Sequence, residues 1–326
     1  MFTFIDVFAG IGGFRRGCEL AGGICIWSCE KDKFARQTYA CNFDVDYHEF
    51  AEDIEDVDPK DIPDHDLLLA GFPCQPFSTA GRREGFAHET QGTLFFELAK
   101  IIKEKQPTFF LLENVKGLLS HKSGSTMFTI MRVLNELGYW VYPKVIDADG
   151  FVPQHRERVY LAGVRDDIDL GSYWHDLRGP WAEFEEDKFR KPPKGYVQLR
   201  HILEPHDQVP VKYTMSDRYM AGLLDHTIKQ ADMGNTFGYR IFRPGEVACT
   251  LTANYARSAQ SILIHQGEHK NPRKLTPREC ARLMGYPEHF KIPVSDAQAY
   301  KQFGNSVVPG VIWAIMHAML PWHYRE

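Results

Sequence analysis

The feature that most constrains this chain is a regular alternation of short apolar segments with amphipathic ones over the first half of the sequence. The apolar runs predict strands at 2–8, 23–29, 46–50, 66–71, 108–113, 139–147 and 158–164. Helical periodicity is found at 13–21, 32–42, 93–105 and 125–137. Strands that alternate with helices form a mostly parallel sheet covered on both faces. The sequence therefore predicts a doubly wound α/β fold.

The pattern changes after about residue 170. Pro, Gly and aromatic residues become frequent, helical periodicity fades, and short strand-like pieces occur at 238–242 and 247–253. Helical pattern returns in TPRECARLMG and again at 306–319, the last helix, which we expect to pack back onto the first domain. These changes predict a first domain at 1–185 plus 304–326, a smaller and irregular β-rich domain at 186–275, and a hinge at 276–303.

A glycine turn follows the first strand. The segment Asp6–Phe14 has the strand, glycine and helix order of a nucleotide-binding turn. It departs from the dehydrogenase pattern G-x-G-x-x-G, because Arg15 stands where the third glycine belongs. Glu30 and Asp53 end the second and third strands, where carboxylates can accept ribose hydroxyl and adenine amino protons. A tight turn with two surface acids is the alternative, and a nicotinamide dehydrogenase is the weaker nucleotide-binding interpretation.

One of the seven cysteines is placed where chemistry is expected. The odd number, without a CxxC pair, is untypical of disulfide frameworks and zinc sites, so we expect no metal. Cys74 directly follows a predicted strand at the edge where open α/β sheets carry their sites. Glu113 ends the next strand, and Arg156 and Arg158 open a later one. Taken alone, Cys74 fits a buried structural role better than a catalytic one. With the acid and the arginines it predicts a nucleophile that adds to carbon 6 of cytosine.

Six sequence blocks carry a family resemblance. They are FAGIGGF, GFPCQPFS, LLENVKG, PQHRERVY, RKLTPRECARLMGYP and QAYKQFGNSVV, and together they cover most of 1–165 and 273–326. Their order resembles that of the DNA cytosine-5 methyltransferases, especially the compact bacterial restriction-modification methylases. The resemblance implies a Rossmann-like S-adenosylmethionine-dependent methyltransferase sheet with a target-recognition domain. It also implies methyl transfer from S-adenosyl-L-methionine to carbon 5 of a cytosine in double-stranded DNA.

The resemblance assigns roles by position. It implies Cys74 as nucleophile, Glu113 as the partner of ring N3, and Arg156 and Arg158 as active-site arginines, with Arg156 positioning either the ring or the local backbone. The implied cofactor-binding residues are Phe8, Gly10, Ile11, Gly12, Gly13, Phe14, Glu30, Lys31, Asp53, Ile54, Gly71, Pro73, Leu94, Asn305 and Ser306. Lys31 stands where a tryptophan often lies, and Asn305 and Ser306 are expected at the start of the last helix.

The DNA contacts follow from the same resemblance. The resemblance implies that Ser78 to Gly92 is a mobile catalytic loop, and an ordinary surface loop is the alternative. A base inside a duplex cannot be reached by Cys74, so the enzyme is expected to flip it out. The implied DNA-binding residues are Ser78, Ala80, Arg82, Arg83, Phe237, Gly238, Arg240 and Thr250. Phe237 has two interpretations, intercalation or a place in the core. Arg240 also has two, guanine recognition or a phosphate contact.

Charge supports a DNA-binding segment. Between Lys188 and Leu275 there are 14 Lys and Arg against 7 Asp and Glu, although the whole chain carries −5. A basic segment on an acidic body is typical of a surface that meets phosphate, although a solvated charged face gives the same bias. We expect a monomer in the bacterial cytoplasm, without a membrane segment, whose restriction endonuclease, if any, acts separately.

Two rivals keep the same motifs. A tRNA cytosine methyltransferase shares these blocks but typically carries Cys-Phe-Thr after the nucleophile, so Gln75 favours DNA. A catalytically silent homologue is disfavoured by the intact set of Cys74, Glu113 and Arg158.

Overall fold

The fold is seen in a computed structural model. It describes residues 1–45, 49–73, 94–168, 179–182, 197–234, 239–258 and 261–320. Contacts divide the chain into two compact units. The first comprises Met1–Ile146, Glu157–Phe189 and Pro309–Glu326, and the second comprises Asp147–Arg156 and Arg190–Val308.

The first unit is built on a seven-stranded sheet in the order β3-β2-β1-β4-β5-β7-β6. Its strands are β1 (Phe2–Val7), β2 (Gly23–Cys29), β3 (Glu49–Ala51), β4 (Leu67–Gly71), β5 (Phe109–Val115), β6 (Tyr139–Asp147) and β7 (Glu157–Arg165). Leu67 to Ala70 of β4 and Phe109 to Leu112 of β5 are fully buried, as expected for strands covered on both faces. β1 pairs in parallel with β2 and β4, and β5 with β4. The predicted α/β fold is confirmed.

β7 runs antiparallel to β5. Val115 pairs with Arg158 and Phe109 with Val164, so β7 begins where β5 ends. The start of an antiparallel strand therefore lies at the carboxyl edge of the parallel strands.

Helices α1 (Gly13–Leu20), α2 (Lys33–Asn42), α3 (Leu94–Lys105), α4 (Ser125–Glu136) and α8 (Pro309–Met319) complete the described part of this unit. Asp32 caps α2, because its carboxylate accepts the backbone N–H groups of Phe34 and Ala35. α8 packs on α1 as predicted, and a methyl group on Gly17 would lie 2.5 Å from Ile312 Cβ.

The second unit contains a small sheet and three helices in its described residues. The strands are β8 (Ile241–Phe242), β9 (Leu263–Ile264) and β10 (Arg273–Lys274). The helices are α5 (Asp217–Asp232), α6 (Pro277–Leu283) and α7 (Asp296–Asn305). The predicted strand at 247–253 is wrong, because only Ala248 makes a bridge, to Gln154. The predicted strand 238–242 is reduced to Ile241–Phe242 among its described residues.

Two helix predictions also need correction. Helical periodicity does not simply fade, since α5 has sixteen residues. Its apolar residues, such as Leu224 and Ile228, are half exposed, so the helix lacks the apolar stripe of a helix that packs on a core. The last helix begins at Pro309 rather than 306, because a residue before proline is disfavoured in helical conformation and proline suits a helix start.

The unit boundaries lie near the predicted domain boundaries, with three differences. Residues 147–156, which were predicted in the first domain, group with the second unit. Residues 276–303, the predicted hinge, group with the second unit. The Tyr300 ring contacts that of Tyr255, with centroids 5.1 Å apart, and Arg282 donates to the Ile202 carbonyl at 3.1 Å. Residues 304–308, also predicted in the first domain, belong to the second unit, where the Cα of Gly304 packs directly on the backbone of Thr252 and Ala253. The functional division into catalytic domain, recognition domain and hinge stays a prediction. No helix in the described ranges is long and apolar enough to cross a membrane.

Candidate active site

Glu113 and Arg158 form an ion pair at the carboxyl edge of the large sheet. Arg158 Nε lies 3.0 Å from Glu113 Oε1, and both side chains are largely buried. The pair forms because β7 is antiparallel, which places Arg158 opposite the end of β5. An ion pair with little water around it is held in one geometry, as a site that must orient a substrate requires.

The end of β4 lies beside this pair. Gly71 is the last residue of β4 to pair with β5, and its partner is Glu113. A methyl group on Gly71 would lie 3.4 Å from both Glu113 Oε2 and Phe14 Cε2. The carboxyl group of Glu113 therefore lies against the backbone that leads into Pro73. Cys74, the next residue, lies outside the described residues, as do Ser78, Ala80, Arg82, Arg83, Phe237 and Gly238.

Asn114 is a further polar residue at this edge that the sequence motifs do not single out. Its side-chain Nδ2 donates to the carbonyl oxygen of Phe72 at 2.8 Å, in a buried position. Its position directly after Glu113 in LLENVKG is the sequence signal that points to it.

Arg156 contacts backbone oxygens, whereas Arg158 pairs with a carboxylate. Its guanidinium is buried and donates to the backbone oxygens of Leu251, Gly304 and Ser306 at 2.9, 2.9 and 2.6 Å. These bonds tie three separate segments of the second unit together. The geometry fits the positioning of local backbone, one of the two roles expected for Arg156.

The glycine turn adopts left-handed backbone conformations. Gly10 has φ +57° and Gly12 has φ +82°, and the intervening Ile11 is buried. No heavy atom lies within 4 Å of the position that a Gly10 side chain would take, so the backbone there is open to a ligand. At Gly12 a side chain would collide with the Phe43 ring, at 2.2 Å from Cε2. The turn is followed at once by α1, which begins at Gly13 and continues with the buried Phe14.

Glu30 is tied to that turn. Its two carboxylate oxygens accept the backbone N–H of Gly10 at 2.8 Å and of Asp32 at 2.7 Å. Burial raises the pKa of Glu30, and the two N–H donors counteract part of that rise. Each oxygen retains acceptor capacity for a hydroxyl group, which is what a ribose-binding carboxylate needs.

Lys31 and Asp53 pair next to Glu30. Lys31 Nζ lies 2.5 Å from Asp53 Oδ2 and 3.6 Å from Glu55 Oε2. The hydrogen bond from Lys31 lowers the pKa of Asp53, and Asp53 raises that of Lys31. Ile54, which follows Asp53, is buried. Lys31 stands at the position where the family that this chain resembles often has a tryptophan, and its side chain is mostly exposed.

Arg15 explains the departure from the dinucleotide pattern. It is buried beside Asp6, its Nε pairs with Glu19 at 2.6 Å, and its guanidinium lies over the Tyr39 and Phe43 rings at 5.4 and 4.8 Å. A glycine at this position could make none of these contacts. Burial raises the pKa of Asp6 well above its usual range, although the charge of Arg15 acts in the opposite direction.

The remaining predicted residues are placed as follows. Phe8 is half-buried and has φ +57°, and Leu94 is the half-buried first residue of α3. Asn305 ends α7 and Ser306 follows it, so neither starts the last helix; the break before Pro309 separates them from α8. The Ser306 hydroxyl shares a hydrogen bond of 2.7 Å with Tyr286.

Two predicted DNA contacts lie in the described part of the second unit. Arg240 is exposed and stacks over the Phe242 ring at 4.8 Å. The Thr250 hydroxyl donates to the His155 carbonyl at 2.7 Å. Their roles toward DNA stay predictions.

Asp147, Asp149 and His155 bring three donor atoms within 4.8 Å of one another. Their loop is accounted for by hydrogen bonds, since His155 Nδ1 contacts Asp147 Oδ2 at 2.9 Å and the Arg156 N–H donates to Asp147 Oδ1. That the protein needs no metal stays a prediction.

Comparison with known proteins gives the family. Residues 2–320 match the model of the C-5 cytosine-specific DNA methylases. The chain is 46% identical over 322 residues to the type II methyltransferase M1.ScrFI of Lactococcus lactis subsp. cremoris, covering 98% of this chain and 78% of the relative. It is 37% identical over 326 residues to M.HhaI of Haemophilus parahaemolyticus, covering 96% and 93%.

Solved structures agree on the fold. The S. pombe Dnmt2 methyltransferase superposes with a TM-score of 0.77 at 21% identity, covering 98% of each chain. At such identity the likeness concerns the fold alone, whereas the matched model and the relatives concern the family. The chain belongs to the C-5 cytosine-specific DNA methylases and is a DNA cytosine-5 methyltransferase.

Proposed function

We propose that this enzyme flips a cytosine out of duplex DNA, adds Cys74 to carbon 6, and directs a methyl group to carbon 5. The observation that carries the proposal is the buried Glu113–Arg158 pair at the edge where β4 leads toward Cys74. Carbon 5 of cytosine is a poor nucleophile until a thiolate adds to carbon 6 and turns the ring into an enamine. The carboxyl group and the guanidinium lie at this edge, and the thiol of Cys74 follows the end of β4 by three residues in the sequence.

The steps use this chain's own groups. The Cys74 thiolate forms a bond to carbon 6 while Glu113 protonates or hydrogen-bonds ring N3, so the ring becomes an enamine. Arg158 holds Glu113 and the O2 carbonyl, which fixes the ring against the thiol. After carbon 5 gains the methyl group, a base removes its proton. The electrons return to the 5,6 double bond, the S–C6 bond breaks, and N3 gives back its proton.

We take S-adenosyl-L-methionine as the methyl donor. The first unit fits it, because the open backbone at Gly10, the carboxylate of Glu30 and the carboxylate of Asp53 follow three adjacent strands. Bound there, the donor would supply an electrophilic sulfonium methyl group. The remaining residues assigned to it, including Pro73, Leu94, Asn305 and Ser306, are part of the same proposal.

We further assign the chain to the modification half of a restriction-modification system. Several relatives at 42–46% identity are named type II methyltransferases. Such an enzyme acts in the bacterial cytoplasm as a monomer that reads a short sequence, and an endonuclease acts on its own. Arg240 is the residue in the described part of the second unit that we assign to DNA reading. Light scattering of the purified protein, with and without DNA, tests the monomer.

The proposal is tested by trapping. The methylated cytosines in a plasmid that expresses the gene are first located by sequencing. A duplex with 5-fluorocytosine at that site is then supplied with the methyl donor. Fluorine cannot leave as a proton, so the protein should remain covalently attached to the DNA. The Cys74→Ser variant should bind the donor but form no adduct. If the intact protein forms none, or if tRNA rather than DNA gains methyl groups, the proposal is wrong.

A further inference from the structure

The side chain of Asn114 joins the ends of β4 and β5 beyond the last main-chain pair. The parallel ladder between these strands ends at Gly71 and Glu113. One residue further along each strand, Asn114 Nδ2 donates to the Phe72 carbonyl oxygen at 2.8 Å. Asn114 is 3% exposed and Phe72 is 4% exposed, so water does not compete for this bond.

The orientation of the amide is fixed by its other end. Asn114 Oδ1 accepts the backbone N–H of Val115 at 2.8 Å. A flipped amide would place its oxygen against the Phe72 carbonyl and its NH₂ group against the Val115 N–H. Both contacts would then pair like with like, so the donor must face Phe72.

The backbone after Phe72 needs such an external bond. Pro73 has no N–H group, so the chain cannot continue the ladder with its own next amide. The Phe72 ring is anchored separately, because it packs on Phe95 with ring centroids 5.7 Å apart. Ring and carbonyl together fix the direction in which the chain leaves β4. The fixed φ of Pro73 narrows the paths that the chain can take after that point.

We propose that Asn114 is a positioning residue for the nucleophile. Its amide holds the Phe72 carbonyl, two residues before Cys74 in the sequence, at the strand end that carries Glu113. It touches no reacting atom. The inference rests on the proposed role of Cys74. Because Glu113 and Asn114 are adjacent, one strand end would orient both the acid and, through the backbone, the thiol.

The expected effect is on rate. A displacement of about 1 Å at a reacting group lowers a rate by roughly 100-fold. The Asn114→Ala variant should therefore trap 5-fluorocytosine DNA about 10- to 100-fold more slowly at saturating DNA and donor. Donor affinity, measured by calorimetry, should fall by less than the trapping rate. The amide holds backbone next to Gly71 and Pro73, which we assign to the donor, but it contacts neither the glycine turn nor Glu30.

The Asn114→Asp variant adds a pH test that keeps side-chain volume. An ionised carboxylate cannot donate to a carbonyl, whereas a protonated carboxyl group can. The trapping rate of this variant, relative to the intact protein, should therefore rise as pH falls. Asn42→Asp is the matched control, since the Asn42 amide also donates to a backbone carbonyl, that of Thr38, at 2.8 Å in a different part of this unit.

All rates are referred to the concentration of donor-binding molecules, so misfolding alone does not change them. If Asn114 only stabilised the fold, its replacement by alanine would lower the melting temperature and leave this trapping rate unchanged. An intact rate for Asn114→Ala, with the intact protein trapped normally, overturns the role of Asn114 alone. If the intact protein is not trapped either, the role of Cys74 fails, and this inference fails with it.

Discussion

Arg158 Nε lies 3.0 Å from Glu113 Oε1, although 45 positions separate the two residues in the chain. The contact exists because β7 runs antiparallel to β5 and starts opposite its end. In a fully parallel sheet, the start of β7 would lie at the opposite edge. The direction of one strand therefore decides that a carboxyl group and a guanidinium meet at the edge where the chain leads into Cys74.

Removing the guanidinium should slow methyl transfer strongly. We expect Arg158→Ala to lower the single-turnover rate by about 100- to 10,000-fold, in the range of a lost acid–base partner. Arg165→Ala is the control, because Arg165 lies at the other end of β7 and pairs with Asp167. Methyl transfer from labelled donor to DNA measures both. Equal rates for the two variants would contradict the role assigned to Arg158.

The two left-handed glycines should differ in their tolerance of a side chain. Gly12→Ala should lower the free energy of unfolding by more than the roughly 1–3 kcal/mol of backbone strain, because its methyl group would also displace the Phe43 ring. Gly10→Ala should show the strain alone, since no heavy atom is within 4 Å. Urea denaturation compares the stabilities, and calorimetry shows whether the Gly10 methyl group weakens donor binding. Equal destabilisation by both substitutions would refute the packing argument.

The stability of the second unit should depend on a buried ion pair. Arg273 and Glu279 are fully buried and joined by two hydrogen bonds of 2.7 Å. Breaking it by Glu279→Leu should cost about 3–5 kcal/mol, because Arg273 is left buried without its counter-charge. The double variant Arg273→Met with Glu279→Leu should lose less stability than Glu279→Leu alone.

The exposed pair of Arg282 with Glu288, two-thirds exposed on the glutamate, is the control for that experiment. Glu288→Gln should change the melting temperature little, because exposed ion pairs contribute little and Arg282 keeps its hydrogen bond to the Ile202 carbonyl. A larger loss from the exposed pair than from the buried one would count against this account.

Asp6 should make stability depend on pH. Burial raises its pKa in the folded protein well above the value in an unfolded chain. At a pH between these two pKa values, the unfolded chain has released the Asp6 proton and the folded chain still binds it. The stability that Asp6 contributes at low pH is therefore lost as pH rises from the pKa of the unfolded chain to that of the folded protein. Asp6→Asn stays neutral, so its stability relative to the parent should increase as pH rises above the ordinary pKa range of an aspartate.

Urea denaturation over that rise in pH measures the difference for Asp6→Asn. Asp61→Asn, at an exposed aspartate, provides the control for the loss of a carboxyl group. Parallel pH profiles for the parent and the Asp6 variant would mean that the carboxyl group does not titrate as inferred.

Local sequence determined the strand–glycine turn–helix unit, most sheet strands within a few residues, and the placement of Glu30 and Glu113 at strand ends. Apolar runs, glycines and helical spacing are short-range properties, and each of these features depends on a few neighbouring residues. The same reasoning failed at α5, whose apolar side chains are not buried in a core, and at the break before Pro309.

Tertiary structure alone decided the antiparallel course of β7, the amide bridge from Asn114 to Phe72, and the three carbonyls that Arg156 holds. These contacts join residues 42 to 150 positions apart. No local periodicity encodes such pairs, because they depend on which strands become neighbours and in which direction they run. The residues with chemical potential could be named from the sequence, but their partners could not.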